Sequence, residues 1–251
     1  MSKENGFLPL KSPAGFMQQL HEYTRDKDYS SCAIEEGKGS GRVRTILSLV
    51  SQLRPGTLLD VGCTDGMWGK YWASKGWLVS GVDIDPQYVE KARKNGVFAV
   101  VADVNKDKLP FDSGSFDLVF AGEVIEHLID TDGFLAELGR CLKPGGMLLI
   151  TTPNLASFEN RIRILFGWYP KWMNYCLEGS GHIRAYTPTV LKRQLLRHGF
   201  EIVSQTGSWV PFLPQQIIDD VKAPWLSFTG ALFPNLAMDI IILARKPETL
   251  K

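Results

Sequence analysis

The stretch Leu58-Leu59-Asp60-Val61-Gly62-Cys63-Thr64-Asp65-Gly66 decides how this chain is read. An apolar run that ends in Asp60 and passes at once into Gly62 and Gly66 predicts a buried strand, a tight turn and then a helix. Glycine admits positive φ and lets a ligand approach the backbone closely, so the turn suits a nucleoside-bearing cofactor. A dinucleotide fingerprint would place Gly-x-Gly-x-x-Gly directly after the strand, with a pyrophosphate at the helix N-terminus. Here Thr64 stands at the second position of that pattern. An anionic Asp60 at the strand end suits an ammonium or a sulfonium. The residues therefore point away from a nicotinamide dinucleotide and toward a cationic amino-acid cofactor.

With that motif the chain resembles the class I S-adenosylmethionine-dependent methyltransferases, whose first motif usually reads apolar-Leu-Asp-Val-Gly-Cys-Gly-x-Gly. The departure is Thr64, where glycine is commonest; Asp60, Gly62, Cys63 and Gly66 keep their places. The resemblance implies a doubly wound α/β domain with a mainly parallel seven-stranded sheet and an antiparallel last strand. It also implies that these four residues contact S-adenosylmethionine.

Further motifs follow in register. Residues 78–82 read as a second strand with Asp83 at its carboxyl end, where ligands bind in open α/β sheets. A carboxylate there can accept both hydroxyls of a ribose, and the resemblance gives Asp83 that role and packs Ile84 against adenine. Asp85-Pro86 supplies an N-cap and a first-turn proline for the next helix. A third strand over 98–101 leads to Asp103, which the resemblance places on the adenine amino group, with a backbone amide near Val104 completing base recognition. A fourth strand follows Phe116-Asp117-Leu118 and ends at Ala121-Gly122-Glu123. Lys143-Pro144-Gly145-Gly146 is expected to close a helix before a fifth strand over 147–152.

Composition sets the outer bounds. The chain has 251 residues, 44% of them hydrophobic, which suits one domain with insertions. A net charge of +1 gives no global argument for nucleic acid or an anionic membrane. Cys32, Cys63, Cys141 and Cys176 are scattered with no Cys-x-x-Cys pair, which reads as free thiols and a reducing, cytoplasmic compartment. The first residues lack the apolar core of a signal peptide, and no apolar run approaches the roughly 20 residues of a membrane span.

The most pointed chemistry lies in Glu123-Val124-Ile125-Glu126-His127. If the segment is helical, Glu123, Glu126 and His127 share one face. With His182 they could hold magnesium or manganese, which lowers the pKa of a bound hydroxyl. The pattern is similar to that of the small-RNA 3′-end 2′-O-methyltransferases and of the ubiquinone-pathway O-methyltransferases. Two other readings stand beside it. In both, Glu123 lines the methionine pocket; Glu126 and His127 either bond backbone or, with His182 as a further catalytic candidate, serve as acid and base without metal.

The domain plan is an N-terminal arm over 1–42 and a core over 43–251. Val43, Ile46, Leu47 and Val50 mark its first helix, and Met17, Leu20, Tyr23 and Tyr29 of the arm could fold back over the site. An insertion over 153–186 carries Phe158, Phe166, Trp168, Tyr169, Trp172 and Tyr175 with Arg161, Arg163, Lys171 and Arg184. It reads as a cap over an acceptor, a small helical subdomain, or an amphipathic membrane-facing patch. Thr187-Pro188 opens a helix that Gly199 ends, and 200–205 and 237–244 read as closing strands. A second excursion over 208–236, with Trp209, Phe212, Trp225, Phe228 and Phe233, could form another acceptor wall. The expectation is O-methylation of a small molecule, a lipid-linked intermediate or a glycan. The alternatives are metal-assisted RNA 2′-O-methylation, disfavoured by the charge balance, an NAD oxidoreductase, disfavoured by the loop spacing, and a catalytically silent cofactor-binding scaffold.

Overall fold

Leu58 and Leu59 point to opposite faces of the first strand, β1 (Thr57–Val61), and a three-layer architecture follows from that alternation. The structure is a computed structural model that describes residues 34, 41–173, 181–210 and 226–248. Around β1 the chain builds β2 (Leu78–Asp83), β3 (Phe98–Val101), β4 (Phe116–Gly122), β5 (Leu142–Pro153), β6 (Glu201–Thr206) and β7 (Asp239–Arg245). They form one sheet in the order β3-β2-β1-β4-β5-β7-β6. Strands β1 to β5 are parallel, and β7, last in sequence, inserts antiparallel between β5 and β6.

One face carries α1 (Gly41–Val50) and α2 (Met67–Ser74). Ile46 and Val50 pack there with Trp72, Trp77, Leu58, Leu118, Phe120, Leu149 and Ile241. The other face carries α4 (Thr131–Cys141) and α6 (Pro188–Arg197), whose Phe134, Leu135, Leu138, Leu191 and Leu195 meet Leu59, Val119, Leu148 and Ile242. Helix α3 (Pro86–Lys94) closes a smaller cluster with Cys63, Val97 and Ala99. Its start is as the dipeptide implies, because the Asp85 side chain accepts the Gln87 N–H and Pro86 fills the first turn. Thr187 caps α6 in the same way.

Two local expectations are revised. The Lys143-Pro144-Gly145-Gly146 turn does not separate helix from strand. Helix α4 ends at Cys141, and β5 starts at Leu142 with a register shift against β4 before Leu118 meets Met147. Gly145 and Gly146 exchange backbone hydrogen bonds with Lys246, so the kink stays paired as a bulge. The first helix begins at Gly41, so Arg42 of the expected arm lies in its first turn.

Asn154 bridges Tyr186 at the base of the insertion, which contains α5 (Phe158–Leu165). Helix α7 (Leu226–Leu232) belongs to the C-terminal excursion and is tied to it where Thr229 accepts the Val210 N–H. Met17, Leu20, Tyr23, Tyr29, Cys32, Tyr175, Cys176, Phe212 and Trp225 lie outside the described residues. Among the described residues, no helix is long and apolar enough to cross a membrane.

Trp72 is the largest fully buried side chain, stacked on Trp68 at 5.2 Å between ring centroids and edge-on to Phe120. Its indole nitrogen has no hydrogen-bond partner among the described residues. Trp72→Ala is therefore expected to cost about 3–5 kcal/mol in urea unfolding, and Trp72→Phe less than half of that, since no hydrogen bond is lost.

Candidate active site

The strand order reverses between β1 and β4, and the glycine loop opens at that crevice. The N–H groups of Gly62 and Cys63 both donate to the Val82 carbonyl, at 2.8 and 3.0 Å, which folds the loop over the end of β2. Gly66 holds φ 79°, and a Cβ there would press to 2.8 Å on the Ala92 backbone. Thr64 adopts φ 45°, the left-handed conformation that explains why glycine is commoner at this place. Its N–H donates to Asp83 Oδ2 at 2.9 Å, while Asp83 Oδ1 accepts the Asp85 N–H at 2.9 Å. Asp83 thus fixes the loop to the start of α3. Cys63 turns its thiol inward against Gly81, and burial pushes that thiol up, so its side chain shapes the loop and offers no ligand atom.

Asp60 is buried at the reversal point, and its Oδ2 has no hydrogen-bond partner among the described residues. Burial pushes its carboxyl up to about 7, and the charges of Asp83 and Asp65 add to the shift. A buried carboxylate with an orphan oxygen fits a ligand that carries an ammonium or sulfonium.

Just beyond Asp83, Ile84 is more than a third exposed. Asp103 Oδ1 accepts the Asn105 N–H, and Oδ2 pairs with Lys106 at 2.9 Å. Val104 packs its side chain against the main core.

Glu123 stands apart from the cluster expected for it. The segment is not a continuous helix: Glu123 takes φ 58°, and only Ile125–His127 coils, as one short 3₁₀ turn. The reversal at Glu123 carries its carboxylate to Thr151 Oγ1 at 2.9 Å and to Arg42 at 2.6 Å. Asp239 joins this group. Its carboxyl is pushed up by burial, with the Arg42 charge opposing the shift. Sequence reading passed over Arg42, because a contact from α1 to the end of β4 has no local periodicity. An acid inside the apolar run of β7 was a visible signal for Asp239.

Glu126, His127 and His182 do converge, each offering a ligand atom within 4.8 Å of the others. The two imidazoles meet edge-on, 4.8 Å between centroids. His182 reaches the turn because the N–H groups of Ile183 and Arg184 both donate to the Glu126 carbonyl, at 2.9 and 3.0 Å. His127 Nδ1 lies 3.1 Å from the Gly181 carbonyl and His182 Nδ1 lies 2.7 Å from the Trp172 carbonyl. A carbonyl only accepts, so in the neutral rings each Nδ1 carries the proton and each Nε2 keeps its lone pair. Glu126 is buried, with neither carboxyl oxygen hydrogen-bonded among the described residues. Burial first, then the charge of Glu123, pushes its carboxyl well above the usual range. One carboxylate oxygen and two Nε2 atoms form a donor set that a divalent cation fits.

Residues 37–205 match the family described as the methyltransferase domain. The chain belongs to that family. The methyltransferase is 32% identical over 169 residues to a ubiquinone biosynthesis O-methyltransferase of Methylocella silvestris, covering 63% of this chain and 62% of that relative. Its fold is shared with the [4+2]-cyclase SpnF at TM-score 0.63 and 22% identity, over 94% of this chain and 96% of that one. It is shared too with an S-adenosylmethionine dependent methyltransferase from Mesorhizobium loti, at TM-score 0.54 and 20% identity, over 79% and 95% of the two chains. The family and its sheet identify an S-adenosylmethionine-dependent methyltransferase.

Asp60 makes this methyltransferase pay in stability for its site. An acid whose folded pKa is raised holds its proton longer in the native state, so its ionisation weakens folding as pH climbs from about 4 to 7 and fully above that. Asp60→Asn is expected to be the more stable protein at pH 8, by up to roughly 4 kcal/mol in urea titrations, with the difference shrinking toward pH 4. The same variant should bind S-adenosylhomocysteine about 10–100-fold more weakly by calorimetry, because a charge-assisted hydrogen bond is lost.

Proposed function

We propose that this methyltransferase acts on a hydroxyl oxygen of a small or lipid-linked acceptor, and that Glu126, His127 and His182 hold a divalent cation beside that hydroxyl. The observation that supports this reading is the pair of imidazoles with both Nδ1 atoms committed to carbonyls, next to a buried carboxylate that takes no hydrogen bond among the described residues and lies 3.9 Å from His182 Nε2. Such backbone carbonyls are the outer groups that orient metal-ligating histidines. Nitrogen-rich ligation suits manganese better than magnesium, which prefers an all-oxygen shell. When bound, a cation of this kind lowers the pKa of a coordinated hydroxyl. An amine acceptor needs no such help, so the cluster favours oxygen.

S-adenosylmethionine, when bound, supplies a methyl carbon already activated by its sulfonium. What the chain contributes is position. Asp60 would hold the ammonium end, Asp83 the ribose, and the loop from Gly62 to Gly66 the space between them. Glu123, fixed by Arg42 and Thr151, sets the wall between cofactor and acceptor. The relatives named as ubiquinone biosynthesis O-methyltransferases support oxygen as the acceptor atom.

A second reading keeps the hydroxyl acceptor and drops the metal. Burial raises the Glu126 carboxyl well above the usual range, which makes it a stronger proton acceptor than an ordinary carboxylate, beside the His127 imidazole.

The test is calorimetric titration of chelator-treated protein with manganese and magnesium, alongside methyl transfer to phenolic, glycan and RNA 3′-end acceptors. The expected result is a manganese isotherm absent from Glu126→Gln and His182→Asn. Both variants should keep S-adenosylhomocysteine affinity while transfer to the phenolic acceptor falls about 100-fold or more. Full turnover in excess chelator would select the metal-free reading. Transfer to RNA with a steep salt dependence would replace the acceptor class, and cofactor binding without turnover on any acceptor would leave a scaffold.

A further inference from the structure

From the last turn of α5 to Trp172 the chain holds six large apolar side chains in water, Ile164, Leu165, Phe166, Trp168, Tyr169 and Trp172. Leu165 is 75% exposed, Phe166 65% and Trp168 59%. An exposed cluster of this size on a described surface marks an interaction site.

The exposure is built. Asn160 is buried, and its side chain accepts the Lys171 N–H at 2.7 Å while donating to the Asn154 carbonyl at 3.2 Å. Trp168 N donates to the Arg163 carbonyl at 2.7 Å, and Arg163 Nε donates to the Tyr169 carbonyl at 2.9 Å. Lys171 pairs with Glu159 at 2.8 Å. Polar groups are thereby satisfied toward the protein, and the apolar side chains face outward as a fixed ridge.

We infer that this ridge seats in the interfacial layer of an anionic lipid bilayer and presents a lipid-borne acceptor to the Glu126–His127–His182 cluster. In its acceptor class the inference rests on the O-methylation reading; the docking itself does not. The ridge carries Arg161, Arg163 and Lys171 against the single carboxylate of Glu159, a local positive surplus on a chain whose net charge is only +1. Tryptophan and tyrosine suit a boundary that is apolar on one side and wet on the other. A second copy is a poor occupant, because a two-fold pairing would set the same cations against themselves. The ridge also ends at the site. Trp172, held at φ 64°, turns its carbonyl onto His182 Nδ1 at 2.7 Å, so one hydrogen bond joins the docking surface to the histidine.

The test is cosedimentation of the full chain with phosphatidylcholine vesicles, with and without phosphatidylglycerol, for the native sequence and for Leu165→Ser/Phe166→Ser/Trp168→Ser. Expected are binding to the phosphatidylglycerol vesicles that weakens with salt, and a loss of about 100-fold in the triple variant with S-adenosylhomocysteine affinity unchanged. Should the triple variant not fold, quenching of tryptophan fluorescence by brominated lipid, reduced in Trp168→Phe alone, carries the same result. Absence of cosedimentation with either vesicle would overturn the proposal, as would equal binding by the variant, or a dimer of the native chain that the triple substitution dissolves. Failure of the native chain to bind S-adenosylhomocysteine would instead strike the cofactor reading and leave the docking result standing.

Discussion

The carboxylate of Asp60, buried where the sheet reverses its order, is the constraint on which the rest of the site depends. Parallel pairing of β1 with β2 and β4 brings Val61, Val82 and Ala121 level, so Asp60 within β1, Asp83 at the end of β2 and Glu123 just after β4 gather at one edge. Each acid has a different electrostatic solution. Asp83 is satisfied by two backbone N–H groups, and Glu123 by Arg42 and Thr151. Asp60 alone of the three keeps an orphan oxygen among the described residues. Burial, with the charges of Asp83 and Asp65 beside it, disfavours the ionisation of Asp60, and a cationic ligand relieves that cost.

The fold was legible because its signals are local. Alternation in β1, the Asp-Pro start of α3 and the apolar spacing of α1 each act over a few residues, and each element forms where those signals stand. The glycine loop was legible for the same reason, down to the one place where Thr64 accepts a conformation that glycine would take at less cost. Misreadings came where tertiary pairing overrides local preference. The Lys143-Pro144-Gly145-Gly146 turn looks like a helix stop, yet β7 extends far enough to capture it as a bulge.

The catalytic side was legible in part. Helical spacing put Glu123 with Glu126 and His127, but the chain leaves β4 through a left-handed residue, and that single dihedral sends the carboxylate to Arg42. His127 and His182 meet although 54 residues separate Gly181 from His127, through backbone bonds that no side-chain pattern announces. Arg42 and Asp239 come from opposite ends of the core, and the Arg42 charge reaches both Glu123 and Asp239 only after the sheet has closed.

The bridge between Asn154 and Tyr186 has a further consequence. It staples the two ends of the insertion at the core, and the Glu126 carbonyl then captures Ile183 and Arg184 just inside that staple. What lies farther out is joined to the fold by a few ties, the Phe158 N–H to the Leu236 carbonyl and the Trp172 carbonyl to His182 among them. Over evolutionary time the segment outside these ties can change in length or sequence without unpicking the sheet, so long as Trp172 and His182 keep their places.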